Sequence, residues 1–266
     1  MMATATRNSP QLRLRIFAGP NGSGKSTVIK EIRESKVNGK EIDFGIYINA
    51  DDIAKNLSEG TFSLTTYEIT SNQGEFTAFA KSSGLLGRDF SLEDLESAIA
   101  ISENHILVIK PLFKDRIAQL IARFLREALL ARKKRFSFET VFSHESNIEF
   151  MEQAAKEGYK VYLYFVSTES PEINKYRVKL RVLQGGHDVD EDKIEKRYYR
   201  SLELLHAAAE ISYQTYFFDN SGLEEPLKLI GHFKQIDNEK VWDELEDMNN
   251  IYWFKTYYLE KLNRKP

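Results

Sequence analysis

Short runs of buried-type residues alternate along this chain with longer stretches in which apolar positions recur every three or four residues. Leu12 to Ala18, LRLRIFA, predicts a strand that runs straight into a glycine-rich turn and then into STVIKEIRES, a segment of helical composition. FGIYINA predicts a second strand ending at Asp51 and Asp52, followed by a helix beginning DIAKNL. Between Ser58 and about Pro111 the pattern is mixed: SLEDLESAIAI has a serine N-cap at Ser91 and helical spacing, HILVI is a short strand candidate, and KSSGLLG reads as a loop. No chemical role is assigned to that stretch. Order returns at Asp115, where Ile117, Leu120, Ile121, Phe124, Leu125, Ala128 and Leu129 fall on one helical face, which is core packing.

That helix closes on ARKKR, charges that complement the carbonyl end of the helix dipole, a nucleic-acid patch being the alternative. Strand FSFETVF follows, then a helix opened by a capping box at Ser146-Asn147-Ile148-Glu149 and strand YKVYLYFV. Next come a helix capped by Ser170 with Pro171 in its first turn, the loop LQGGHDVDED, a long charged helix and strand TYFFD. The end, KVWDELEDMNNIYWFKTYYLEKL, reads as helical and aromatic-rich, a packing or partner helix. Strands alternating with helices predict an α/β fold with a mostly parallel sheet covered on both faces.

Composition narrows the function classes. In 266 residues the net charge is −3 and the pI about 6.0, so the totals show no electrostatic footprint for nucleic acid. The chain has no cysteine, which excludes disulfides and thiolate metal sites and suits a reducing cytosol. No stretch approaches the roughly 20 apolar residues of a membrane span, and the polar start MMATATRNSPQ has no apolar core of signal-peptide length. A soluble, cytoplasmic protein with no membrane or nucleic-acid partner is expected.

The glycine turn carries the strongest chemical signal. Gly19-Pro20-Asn21-Gly22-Ser23-Gly24-Lys25-Ser26 matches Gly-x-x-x-x-Gly-Lys-Ser/Thr in full, between a strand and a helix, with Thr27 continuing it. Glycines let successive backbone N–H groups turn inward as an anion cradle at a helix N-terminus. Lys25 adds a mobile positive charge for β and γ phosphates, and the Ser26 hydroxyl is placed to ligate magnesium. ATP or GTP with Mg2+ is the implied ligand, and ATP is taken as the cofactor. The predicted architecture is therefore a P-loop NTPase-type three-layer sandwich with a helical lid and an inserted mixed segment. Residues 1–11 form a flexible N-terminus, 12–235 the P-loop domain with an insertion at about 58–111 and a lid at about 170–200, and 236–266 a C-terminal helical extension.

Two uses of the nucleotide compete: hydrolysis that drives a switch or motion, and transfer of the γ phosphate to an acceptor. LQGGHD followed by TYFFD mimics the signature loop and acidic strand of transporter-type ATPases, but that strand should end Asp-Glu, and here Asp219 is followed by Asn220. A kinase needs an acceptor-side base, a substrate pocket and arginines that neutralise the transferring phosphate. Asp51, at the carboxyl end of a parallel strand, suits a general base or a helix N-cap. Glu139 is a charge inside a buried-looking strand, either a ligand-binding carboxylate or the partner of an arginine. Arg177 and Arg181, four apart, share one helix face, either a lid or a solvated surface.

Together, AGPNGSGKST, INADDIAK, FSFETVFS, YKVYLYFVST, YRVKLRVLQGGHDVDEDKIEKRYYRSL and YFFDNS resemble the zeta-toxin-like P-loop kinases, most of all the branch often labelled as predicted ABC-type ATPases. The resemblance covers residues 12 to 57 and about 115 to 221. It implies transfer of the ATP γ phosphate to an alcohol acceptor, which for characterised zeta toxins is a sugar hydroxyl of UDP-N-acetylglucosamine, and an antitoxin protein as partner. By the same resemblance Asp51 is the general base, with Asp52 as substitute, Glu139 binds the acceptor, and Arg177 and Arg181 contact the transferred phosphate. The stretch from Ser58 to Pro111 is longer than this branch usually has. The alternative is a regulatory or nucleotide-switch ATPase without a small-molecule acceptor.

Overall fold

A computed structural model describes residues 11–222, 225–243 and 250–262, so all but the last residue of the expected flexible N-terminus lies outside the described part. The chain divides into two compact units, Met1–Asp43 with Thr140–Pro266, and Phe44–Glu139, a wider second unit than the mixed segment marked by sequence. The first stretch carries β1 (Arg13–Ala18), α1 (Lys25–Glu34) and a small hairpin of β2 (Lys36–Val37) and β3 (Lys40–Glu41). Phe44–Glu139 carries β4 (Ile46–Ile48), α2 (Ala50–Ser58), β5 (Thr61–Ser63), α3 (Gln73–Ser82), α4 (Leu92–Ala98), β6 (Ile99–Ser102), β7 (His105–Val108), α5 (Lys114–Ala131) and β8 (Phe136–Thr140), whose last residue passes the division. The chain then adds α6 (Ser146–Lys156), β9 (Lys160–Ser167), α7 (Pro171–Leu183), α8 (Glu191–Ile211), β10 (Gln214–Asp219), β11 (Lys228–Ile236) and β12 (Glu239–Trp242). It closes on α9 (Tyr252–Phe254), which continues through a π-helical turn (Lys255–Leu259) into α10 (Glu260–Leu262).

In the first unit the strands lie in the order β12-β11-β10-β9-β1. β1, β9 and β10 are parallel, with Ala18 beside Phe165 and Asp219 beside Ser167, so their carboxyl ends form one edge. Leu14, Ile16, Phe17 and Ala18 of β1 and Val161, Leu163, Phe165 and Val166 of β9 are all buried, as expected of parallel strands covered on both faces. Amphipathic α6 and α8 pack on β9, and α1 packs on β1 and β9. The buried charged residue of β1, Arg15, donates from Nη1 to the Tyr164 hydroxyl at 2.7 Å and from Nε to the Asp43 carbonyl at 3.0 Å.

The C-terminal stretch is only partly the expected helix. Asp237 and Asn238 both have positive φ (50° and 66°), which makes a two-residue hairpin turn and returns Glu239–Trp242 as a strand with alternating exposure. The helical part supplies Trp253, Phe254 and Tyr258, all fully buried. Phe254 and Tyr258 each place a ring 4.7 Å from Phe217, and Phe233 lies 5.0 Å from Trp242, so an aromatic cluster covers the antiparallel side of this sheet.

In the second unit β4 and β8 pair in parallel, while β5, β7 and β6 form a separate antiparallel sheet that includes the expected HILVI strand. α5 buries Ile117, Leu120, Ile121, Leu125 and Leu129 as its periodicity predicts, with Phe124 edge-on to Phe76 and Phe79. The expected cap at Ser91 forms a full capping box with Asp94, whose carboxyl is held below its usual range by the Ser91 backbone and side chain. Beyond α5, Arg132 reaches the Ala128 carbonyl at 3.4 Å and Lys134 pairs with Glu68 at 2.5 Å, so part of ARKKR is used within the fold.

The capping box expected at Ser146 does not form. The N-cap is Glu145, and the Ser146 hydroxyl lies 3.0 Å from Nδ1 of His144, which also accepts the Ser146 N–H. Ser170 is the N-cap of α7 with Pro171 in the first turn, but its side chain makes no capping bond. The aromatic cluster generates a stability test by urea unfolding. Phe254→Ala should cost about 3–5 kcal/mol, whereas Tyr252→Ala, at a side chain 67% exposed, should stay within about 0.5 kcal/mol.

Candidate functional site

The phosphate loop lies where sequence places it, at the carboxyl edge of β1, β9 and β10. Its three glycines have positive φ: 146° at Gly19, 76° at Gly22 and 101° at Gly24. Each also faces a neighbour too close for a side chain. A Cβ would lie 2.1 Å from the Val166 carbonyl oxygen at Gly19, 2.6 Å from the Asn174 carbonyl oxygen at Gly22, and 2.2 Å from Asn220 Nδ2 at Gly24. The loop is therefore gripped by β9, α7 and the turn after β10 together.

Lys25 opens α1, with Gly24 as N-cap and no acidic residue in the first turn. Its Nζ donates to the Gly19 carbonyl at 2.9 Å and the Pro20 carbonyl at 3.0 Å. Ser26 and Thr27 are exposed in the first turn of α1, while Ser23 Oγ is buried without a hydrogen-bond partner. An uncompensated buried hydroxyl and a cradle cut to bare backbone fit a bound polyphosphate.

Side chains remote in sequence support the loop. Asn174, fully buried in α7, donates to the Asn21 carbonyl at 2.6 Å, and its Oδ1 accepts from the Thr168 hydroxyl. Asn220 donates from Nδ2 to the Ser23 carbonyl at 2.8 Å. Arg177 donates to the carbonyls of Asn220 at 2.6 Å and Gly222 at 2.7 Å; burial lowers its pKa and the Asp219 charge partly restores it. Arg181 turns away from this group: it donates to the His187 carbonyl at 2.6 Å and lies against Gly186.

The arginine that does reach the loop from α8 is Arg197, whose Nη1 donates to Asn21 Oδ1 at 3.2 Å. Burial alone lowers its pKa, and no described carboxylate offsets that cost, so an anion beside Asn21 would stabilise it. Sequence reasoning passed over Asn174, Arg197 and Asn220. Asn174 had no local signal, because it falls in the first turn of α7, where a polar residue is unremarkable. Asn220 was visible only as the missing glutamate after Asp219.

The candidate acceptor-side residues lie in the second unit. Asn49, not Asp51, is the N-cap of α2: its Oδ1 accepts the Asp51 N–H at 2.8 Å. Both aspartates are exposed in the first helical turn, so Asp51 neither ends the strand nor serves as the cap. Asp52 directs its charge at Tyr67, whose pKa is raised first by burial and then by that carboxylate. Glu139, half-buried near the end of β8, accepts from the Tyr47 hydroxyl at 3.3 Å and lies 3.5 Å from Asn49 Nδ2.

No family model matches the sequence. An uncharacterized protein of Haemophilus influenzae is 38% identical over 63 residues, 24% of this chain and 45% of that protein, so the chain spans less than half the length of this relative. Among solved structures, the native AvrRxo1-ORF1:ORF2 complex matches with a TM-score of 0.52 and 13% identity over 96% of this chain and 67% of the matched one. The same complex with sulphate ions matches at 0.51 over 91% and 63%. A structure from the PezAT toxin-antitoxin system of Streptococcus pneumoniae matches at 0.45 and 13% identity, over 97% of this chain and 82% of its own. The fold is the P-loop α/β arrangement, with a mostly parallel sheet and flanking helices, that the zeta-toxin resemblance implies.

The tight packing at Gly24 predicts that Gly24→Ala raises the dissociation constant for a non-hydrolysable ATP analogue at least about tenfold by calorimetry, because Asn220 or the loop must move. Gly87→Ala is the control, since a Cβ there meets nothing within 4 Å. It should bind like the parent protein.

Proposed function

We propose that the protein is a magnesium-dependent kinase that moves the γ phosphate of ATP to a hydroxyl of a small molecule. The observation that carries this reading is the phosphate loop itself, gripped at three glycines and contacted by Arg197, with Arg177 anchored on the turn after β10. Magnesium bound with the nucleotide would supply charge neutralisation, and the exposed Ser26 hydroxyl would be the chain's oxygen ligand to it. Lys25 Nζ, seated on loop carbonyls, serves the β and γ phosphates, and Arg177 and Arg197 meet the charge of the transferring group.

Asp219 favours transfer over hydrolysis. Its Oδ1 accepts from the Ser221 hydroxyl at 2.7 Å and Trp253 Nε1 at 2.8 Å, and its Oδ2 from the Ser221 N–H at 3.1 Å. A carboxylate so engaged is a poor activator of water. The general base is Asp51, an assignment that rests on the resemblance of INADDIAK and is supported by Asn49 taking the capping role and leaving the Asp51 carboxylate unspent. Asp51 takes the acceptor's hydroxyl proton as the new O–P bond forms and the bond to ADP breaks. Glu139, with Tyr47 and Asn49 about one of its oxygens, is the acceptor-binding carboxylate. Arg181 retains a lid role by the same resemblance.

UDP-N-acetylglucosamine is the acceptor the resemblance supports, and the cytoplasm is the setting for such a reaction. No described helix is long and apolar enough to cross a membrane. The AvrRxo1-ORF1:ORF2 structures are complexes of two proteins, which supports a protein partner of the antitoxin kind. The deciding experiment follows label from γ-labelled ATP in the presence of UDP-N-acetylglucosamine and a panel of other sugar nucleotides. Label in an organic product supports the kinase; free phosphate alone, whatever is added, supports a nucleotide-switch ATPase.

Two substitutions test the assigned roles. Lys25→Ala should abolish transfer while leaving the far-ultraviolet circular dichroism unchanged. Asp51→Asn should lower transfer roughly 100-fold or more with ATP binding retained. A near-normal rate for Asp51→Asn together with an inactive Asp52→Asn would move the base to Asp52.

A further inference from the structure

We infer that Trp253, in the C-terminal helix, is a positioning residue for the phosphate loop, acting through Asp219 and the turn Asn220–Gly222. The proposal rests on the nucleotide-binding reading above and extends it to an element that sequence treats as packing. The indole Nε1 of Trp253, a fully buried side chain, donates to Asp219 Oδ1 at 2.8 Å. Asp219 in turn holds Ser221 by its backbone N–H and its hydroxyl, and the Ser221 Oγ accepts the Glu169 N–H at 2.9 Å. Glu169 returns to the C-terminal helix, its Oε1 accepting the Tyr252 N–H at 3.0 Å. Residues 252 and 253 thus close a ring of hydrogen bonds around the turn after β10.

That turn is the one that touches the loop. Asn220, between the two residues so held, donates to the Ser23 carbonyl and fills the space against Gly24, and its own carbonyl anchors Arg177. A buried carboxylate that loses one donor reorients or draws in water, and its immediate neighbour in the chain moves with it. The displacement is delivered to the cradle by Asn220 Nδ2. Trp253 contributes no atom to the cradle itself, so its effect must appear as looser nucleotide binding and slower transfer in a folded protein.

The test uses Trp253→Phe, which keeps an aromatic ring and deletes the N–H. At a temperature where circular dichroism shows both proteins folded, the dissociation constant for the ATP analogue should rise roughly 5- to 10-fold. Asn220→Ala should do the same, and the double variant should bind no worse than the weaker single one, because both act through one contact. Additive effects, or unchanged binding in folded Trp253→Phe, overturn the inference. If parent and variants alike bind no nucleotide, the functional reading fails instead.

Should Trp253→Phe not fold, Trp242→Phe leaves Trp253 as the single tryptophan of the chain. Its emission should then shift when the analogue binds, and Asn220→Ala in that background should remove the shift. Saturable binding with no change in emission overturns the inference.

Discussion

Close packing against the glycines of the phosphate loop, at distances that admit no Cβ, is the constraint on which the shape of the loop depends. Val166, Asn174 and Asn220 each press on a different glycine, so the loop's shape is set by β9, α7 and the turn after β10 together. Glycine is costly in conformational entropy, and three within six residues would leave an isolated loop mobile. The neighbours remove that freedom before any ligand arrives, which is the condition for backbone N–H groups to act as a preorganised anion site. Arg177 is anchored on the same turn as Asn220, so that guanidinium and the glycine loop share one support.

The parts of this structure legible in the sequence are those whose cause is local. β1 and β9 read as strands because burial on both faces demands unbroken apolar runs, and α5 because its apolar positions recur at helical spacing. The phosphate loop was legible because its geometry can be met by little other than glycine. What was missed depends on partners far away in the chain. Arg197 becomes interesting only beside Asn21, 176 residues earlier, while Arg177 and Arg181, which look equivalent at four-residue spacing, end on different carbonyls.

Capping failed in the same way. Serine at 146 has the right sequence for a cap, but the His144 imidazole takes its hydroxyl, and at α2 the cap falls to Asn49, two residues before the aspartate that sequence favoured. The C-terminal stretch misled because its aromatic content suits either a strand or a helix face. The pair of positive-φ residues at Asp237 and Asn238 decides for a hairpin, and among the described residues the helix lies at Tyr252–Leu262.

Lys25 carries a consequence of its own. With its ammonium on the Gly19 and Pro20 carbonyls, the loop presents a cation already neutralised by two dipoles. An anion entering the cradle must outcompete those carbonyls for the same three donors. A ligand gains that charge only at the cost of these two hydrogen bonds. The resting loop thus holds its own charge in check until a ligand replaces those two contacts.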